Sequence, residues 1–183
     1  FPKNCSIAGE GIVNEGIQST RLGIKGSAAL AEHMQIARDL YLLEYTGGRL
    51  HIPTISSATS VKLIKEAKKK GLKVSCSVSA HHLILTDNEL DSFDSNVKVT
   101  PPLRTKNDTK ALLKGLKDGV IDIITSDHNP IDIEHKKLEF SHAEFGTIGL
   151  ESLFGALNSV LDLETIIKAL TIQPRAIFNQ EST

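Results

Sequence analysis

The sequence is poor in the residues that mark several classes of protein. It has no tryptophan, two tyrosines and two cysteines among 183 residues. Single-stranded nucleic acid stacks its bases on aromatic side chains, so this scarcity argues against a nucleic-acid partner. Two cysteines, Cys5 and Cys76, are too few for the disulfide framework of small secreted domains, and no apolar run approaches the roughly 20 residues of a membrane span. We therefore expect a cytoplasmic protein with no membrane or nucleic-acid partner.

The chain also has no excess of charge of either sign. Its 21 Lys and Arg residues nearly balance 22 Asp and Glu residues, and the formal net charge is −1 with neutral histidines. This balance gives no long-range attraction to a polyanion or an anionic membrane. Hydrophobic residues at 40% and charged residues at 23% are typical of soluble globular domains, and the length allows a core.

Apolar residues recur at three- and four-residue intervals in several segments, which predicts helices. We expect helices over residues 28–46, 60–70, 108–117, 150–161 and 163–170, and strands or extended runs over 49–53, 72–78, 96–100 and 120–125. Ser27 and Asp108 are the expected N-caps of the first and third helices. Residues 1–27 are rich in Gly and Ser and are predicted to form a long loop. Strands that alternate with helices in this way predict parallel βα units.

Motifs of three large enzyme classes are missing. The pair Gly9 and Gly11 has no predicted strand before it and lacks the third glycine of a dinucleotide-binding loop. The chain has neither the GxSxG motif of serine hydrolases nor the HExxH motif of metalloproteases. A nucleotide-binding function is therefore disfavoured, and polar residues at strand ends become the candidate site.

Asp127 and His128 follow the apolar run at 120–125, where a buried strand is expected to end. A carboxylate there is costly unless it is paired, hydrogen-bonded or bound to a metal. Asp127 is therefore a candidate metal ligand or general base, and the alternative is a carboxylate that caps backbone N–H groups. His81 and His82 are adjacent, so in a strand they would point to opposite faces. We expect one packed and one solvated imidazole there.

Eight short blocks of sequence occur in order along the chain. They are NEG at 14–16, AE and RD at 31–39, HIP and IS at 51–56, AHHL at 80–83, KVTPPLR at 98–104, DGVID at 118–122, SDHNP at 126–130 and FGTIGLE at 145–151. Together the blocks resemble the later part of a dihydroorotase of the bacterial type I, within the amidohydrolase superfamily. The similarity covers nearly the whole chain.

The resemblance implies an α/β fold, a segment of a TIM-like (β/α)8 barrel. Residues 1–183 would supply about strands six to eight with their helices, which cannot close a barrel alone. The N-terminal half of the barrel and most of a flanking β-sandwich would then be absent from this chain.

The resemblance also implies a chemistry. Dihydroorotases interconvert N-carbamoyl-aspartate and dihydroorotate in pyrimidine biosynthesis, and zinc activates a water and polarises the amide carbonyl. Asp127 matches the catalytic, metal-binding Asp of the family, and Phe145 and Gly146 match residues at the substrate pocket. The implied partners are this small-molecule substrate, a second copy of the chain, or aspartate carbamoyltransferase.

The chain departs from the family pattern at several functional positions. The two metal-binding histidines fall at about Phe1 and at Thr54, and the substrate-contacting Asn falls at Thr100. A further His falls at Ile131 and a pocket-lining Pro falls at Glu144. An apolar ring or a short hydroxyl does not supply the nitrogen ligand that zinc favours, so zinc is doubtful in this chain.

Three hypotheses follow from these departures. The favoured one is a pseudoenzyme, a non-catalytic homologue kept as a structural or regulatory partner. The second is an active zinc-dependent dihydroorotase or related cyclic amidohydrolase with a rearranged metal site. The third is a binding module that recognises a small anion through Arg104 and backbone N–H groups.

Overall fold

The computed structural model describes residues 1–180, in which short strands alternate with helices. The barrel segment predicted over residues 1–183 therefore includes three residues outside the described range. The strands are β1 (Val13–Asn14), β2 (Gly26–Ser27), β3 (Leu50–Ile52), β4 (Val74–Ser79) and β5 (Ile123–Thr125). The helices are α1 (Cys5–Ala8), α2 (Ile17–Leu22), α3 (Leu30–Thr46), α4 (Ala58–Lys69), α5 (Ala80–Ile84), α6 (Lys106–Lys117), α7 (Ile133–Lys136), α8 (Leu153–Asn158), α9 (Leu163–Ile167) and α10 (Gln173–Ile177). Two 3-10 turns span Asp87–Ser92 and Ser95–Val97, and a π turn spans Lys168–Ile172.

The main sheet has three parallel strands in the order β3-β4-β5. Ile52 pairs with Cys76, and Ser79 pairs with Thr125, so the strands end at one common edge. The short strands β1 and β2 form a separate parallel pair. Within residues 1–180 the outer edges of β3 and β5 are unpaired, and the strands close no barrel. This agrees with the predicted barrel segment.

Helices α3, α4 and α6 and the three-stranded sheet share one hydrophobic core. Ile64 of α4 and Val78 of β4 are fully buried there, and Ile36 joins them from α3. Removing one such side chain from water contributes about 1.5–3 kcal/mol. The same core contains Cys76, whose thiol pKa burial raises to about 12, whereas Cys5 is exposed.

Helix ends follow local hydrogen bonding and correct two predicted caps. Helix α6 is capped by Thr105, whose Oγ1 accepts from the Asp108 N–H, while the Asp108 carboxylate accepts from Thr105 in return. Asp108 is thus the third helical residue and not the cap. Ser27 does not cap α3, because it is buried in β2 and Ala29 precedes the helix. Gly47, with φ 67°, ends α3 as predicted.

Two segments differ from the sequence prediction. Residues 1–27 are not one long loop, because they contain α1, β1, α2 and β2, elements of two to six residues that are too short to show a period. Residues 96–100, predicted as an extended run, pair with no described strand. Their first two residues belong to the 3-10 turn Ser95–Val97, which Asp94 caps by accepting from the Asn96 N–H. None of the described helices is both long and apolar enough to cross a membrane.

Candidate active site

The chain turns sharply after β3 and β5, at the common edge where the parallel strands end. Thr54 follows β3 with φ 49°, and Asp127 follows β5 also with φ 49°. This left-handed region is unfavourable for residues other than glycine, most of all for a β-branched one, and costs about 1–3 kcal/mol at each position. Backbone strain of this kind clusters at functional sites, so the two turns mark the strand ends as the candidate site.

His81 stands beside Asp127 at this edge. The His81 Nε2 and Asp127 Oδ2 atoms are 3.7 Å apart, and the His81 side chain is 9% exposed. Neither ring nitrogen of His81 has a hydrogen-bond partner within residues 1–180. Burial lowers the pKa of His81 to about 4 and raises the pKa of Asp127. At neutral pH the His81 imidazole is therefore uncharged.

The adjacent His82 has a structural position. Its Nε2 donates to the carbonyls of Pro101 and Pro102, at 3.1 and 3.3 Å, and its Nδ1 accepts from the Ser79 hydroxyl. The expectation of one packed and one solvated imidazole was wrong. Both histidines lie in helix α5 rather than in a strand, so their side chains do not point to opposite faces of a sheet. Their ring centroids are 4.6 Å apart, and both rings are largely buried.

A long loop after β5 returns to the site through residues 145–150. His128 Nδ1 accepts from the N–H groups of Gly149 and Leu150, at 3.2 and 3.3 Å. The Asn129 side chain donates to the Phe145 carbonyl at 3.1 Å, and the Asn129 N–H donates to the Thr147 carbonyl. The residues that follow Asp127 therefore fix the backbone around Phe145 and Gly146, although sequence reasoning had assigned no role to Asn129.

None of the substituted family positions carries an imidazole, and only Glu144, where the family has a pocket-lining Pro, carries a carboxylate. Phe1 and Thr100 are exposed, as is Glu144, while Thr54 and Ile131 are half-buried. Within residues 1–180, no group of three or more His, Cys, Asp or Glu side chains is arranged to hold a metal ion. A catalytic zinc usually has three protein ligands, so residues 1–180 alone do not complete such a site.

Arg104 belongs to a buried network and not to the surface of the site. Its guanidinium donates to Asn14 Oδ1 at 2.8 Å, to the Ser27 carbonyl at 3.1 Å and to Ser56 Oγ at 3.0 Å. The Glu32 carboxylate lies 3.9 Å away, and both charged side chains are at most 3% exposed. The anion-binding hypothesis is not supported, because Arg104 is inaccessible to a dissolved anion.

A cavity of about 200 Å³ lies beside His81. Apolar residues of α5 and α8, including Ile84 and Leu153, form one wall, and Ser126 and Thr147 add hydroxyl groups. Larger cavities of about 710 and 580 Å³ lie away from the strand ends. The smaller cavity is therefore the one that adjoins the candidate site, although its volume is modest for a ligand pocket.

Comparisons with known proteins give a consistent result. No family model matches the sequence. The chain is 44% identical over 182 residues to a dihydroorotase of Carboxydothermus hydrogenoformans, covering 96% of the chain and 42% of that protein. It is 47% identical over 152 residues to a dihydroorotase of Ruminiclostridium cellulolyticum, covering 83% and 36%.

Among solved structures, an L-hydantoinase (dihydropyrimidinase) from Arthrobacter aurescens superposes with a TM-score of 0.79 at 26% identity. This match covers 85% of the chain and 36% of the hydantoinase. The chain thus spans less than half the length of the proteins it matches. Both the resemblance and the barrel-segment fold expected from the sequence are confirmed.

Proposed function

We propose that this homologue of dihydroorotases is the later portion of an amidohydrolase barrel that has lost metal-dependent catalysis. The whole protein would then serve pyrimidine biosynthesis as a non-catalytic, dihydroorotase-like partner. One observation carries the proposal: Thr54, which stands at the strand end where the resemblance places a metal-binding histidine, has a short hydroxyl instead of an imidazole. A hydroxyl does not supply the nitrogen ligand that zinc favours at this position.

The chemistry of the substituted positions supports the same conclusion. Ring closure of N-carbamoyl-aspartate requires a polarised carbonyl and a group that moves a proton. Asp127 could move the proton, because burial raises the pKa of its carboxyl towards the range of a proton donor. Thr54 and Phe1 offer no imidazole for the metal that would polarise the carbonyl.

Binding of a small molecule is proposed to survive the loss of catalysis. Phe145 and Gly146 keep the family pattern, and Asn129 fixes the Phe145 carbonyl. We infer that carbamoyl-aspartate or dihydroorotate binds beside these residues. A binding role does not require the zinc ligands that the chain lacks.

The test uses the full-length protein, prepared without chelators. We expect substoichiometric zinc by elemental analysis and no conversion between dihydroorotate and carbamoyl-aspartate, measured beside an active dihydroorotase. Asp127→Asn should change neither result. Stoichiometric zinc with turnover that Asp127→Asn abolishes would overturn the proposal.

A second candidate function is an active cyclic amidohydrolase with a rearranged metal site. It is favoured by the 3.7 Å separation between His81 Nε2 and Asp127 Oδ2, both of which point to the same edge. In this case zinc would persist after a chelator challenge, and Asp127→Ala would remove both zinc and turnover. Loss of zinc without loss of a measured activity would exclude this candidate.

We also propose a cytoplasmic location and association with aspartate carbamoyltransferase or a second copy. Sedimentation of the full-length protein alone and mixed with the transcarbamoylase distinguishes the two. A monomer in both samples would contradict both forms of association.

A further inference from the structure

Lys98 is a cationic side chain enclosed by the loop that follows β5. Its residue is 3% exposed. Its Nζ atom donates to the carbonyls of Phe140 at 2.8 Å, Ser141 at 3.0 Å and Ala143 at 2.6 Å. The same atom lies 5.5 Å from the ring centroid of Phe140 and 4.9 Å from that of Phe145. Three carbonyl dipoles and two ring faces thus surround one nitrogen.

The number of acceptors identifies the form of the nitrogen. An ammonium group has three N–H donors, which match the three carbonyls, whereas a neutral amine has two. Aromatic faces attract a cation through the negative potential of the ring face. Burial and the nearby Lys136 lower the pKa of Lys98, whereas the three carbonyl acceptors and the two rings favour its protonated form. The enclosure has the chemistry of a site for a small monovalent cation.

A second set of contacts fastens the same two segments. The Gly146 N–H donates to the Lys98 carbonyl at 3.0 Å. Lys136 Nζ donates to the carbonyls of Ser95 at 2.6 Å and Glu144 at 3.0 Å, and Ser95 Oγ donates to the Lys136 carbonyl. Residues 95–98 therefore hold the loop at its start and at its end. Phe145 and Gly146 lie at the held end.

We propose that Lys98 is a positioning residue that acts as a built-in cation and fixes the loop at 136–146, which carries Phe145 and Gly146. The loop has little regular structure, because α7 ends at Lys136, so its carbonyls need a donor from elsewhere. The primary ammonium group supplies three donors at one point. The inference deepens the proposed function, since it rests on a binding role for Phe145 and Gly146.

Hydrogen exchange on the full-length protein tests the proposal. In Lys98→Ala, amide exchange across residues 138–147 should rise by about tenfold or more, while exchange in α3 and α4 stays unchanged. Propylammonium, which replaces the deleted carbons and ammonium, should restore protection, and 1-propanol should not. Lys137→Ala, which removes an exposed lysine of the same loop, is the matched control and should leave exchange unchanged.

Several outcomes would overturn the proposal. These are unchanged loop exchange in Lys98→Ala, equal rescue by 1-propanol, or an equal rise in α3 and α4. If Lys98→Ala does not fold, Lys98→Met retains most of the side-chain volume without the charge and should show the same local rise. Zinc and turnover do not enter this readout, so it is independent of the loss of catalysis. A loosened loop with unchanged affinity for dihydroorotate would refute the link to binding.

Discussion

Arg104 and Glu32 are oppositely charged residues joined inside the protein, with Arg104 also bonded to Asn14, Ser27 and Ser56. The pair connects α3 to both small strands and to the segment after β3. Its members cannot exchange their partners for water while the fold persists. The arginine of the PPLR block therefore has a structural explanation that competes with substrate binding.

We expect Arg104→Met to lower the free energy of unfolding by about 3–5 kcal/mol, because it leaves the Glu32 carboxylate buried beside an apolar chain. Arg38→Met is the matched control, since Arg38 pairs with Asp39 but is 63% exposed, and it should cost less than about 1 kcal/mol. Urea denaturation measures both. Equal decreases in the free energy of unfolding for the two variants would show that the buried network stabilises the fold no more than the exposed pair does.

Burial lowers the pKa of His82 well below its ordinary value, and three other buried or half-buried histidines shift in the same direction. Below about pH 6.5 the unfolded chain binds protons that the folded state does not, so stability falls as pH falls. We expect the free energy of unfolding to decrease from pH 7 to pH 5. Asp127, whose pKa is raised, acts in the opposite direction and reduces the slope.

Urea denaturation at pH 7, 6 and 5 measures this dependence. His82→Gln keeps a donor for the proline carbonyls but does not titrate, so its slope should be smaller than that of the unmodified protein. His142→Gln, which replaces an exposed imidazole, is the matched control. A slope that His82→Gln does not alter would assign the acid sensitivity to other groups.

At the scale of elements, the loop after β5 depends on a glycine where the backbone passes close to itself. Gly146 has φ 151°, and a Cβ atom there would lie 2.5 Å from the Asn129 carbonyl oxygen and 2.9 Å from Ile131 Cγ1. Because one of these neighbours is main chain, the loop itself must move to accept a side chain. The FG pair is therefore a conformational requirement of the loop, whatever it binds.

We expect Gly146→Ala to lower the free energy of unfolding by about 1–3 kcal/mol through backbone strain. Gly155→Ala is the matched control, because a Cβ at that position of α8 meets nothing within 4 Å. It should raise stability by about 0.5–1 kcal/mol, since alanine favours a helix over glycine. Thermal and urea unfolding compare the pair, and a neutral Gly146→Ala would contradict the close approach.

At the scale of the whole molecule, three parallel strands with unpaired outer edges do not match the self-sufficient domain that the length suggests. The helices α3, α4 and α6 and the sheet share a core, whereas the strand-end site is assembled from the segments that follow β3, β4 and β5. In the relatives the matched region is less than half of a longer protein. The residues that form the core are thus different from those that form the strand-end site.

The central part of the fold could be predicted from sequence because α3, α4 and α6 have clear apolar periods and β5 is a β-branched run. The structure of the first 27 residues could not be predicted, since their short elements are stabilised by caps and by contacts with residues distant in sequence, such as that of Asn14 with Asp87. Asp127 is a candidate from its position after a buried strand, and its role stays a prediction. The burial of His81 was missed, because α5 begins directly where β4 ends and no turn residue marks the boundary.

Cys5 and Cys76 give the molecule two thiols of opposite accessibility. Cys76 lies in β4, and its Sγ atom is 3.5 Å from the carbonyl of Val120, which precedes β5. Because its pKa is raised to about 12, almost none of the thiol is ionised at neutral pH. An alkylating reagent consumes thiolate, so it labels Cys5 in the folded protein and Cys76 only in molecules whose sheet has opened. Mass spectrometry of the labelled protein gives the ratio of doubly to singly labelled chains, and this ratio reports how often the sheet opens.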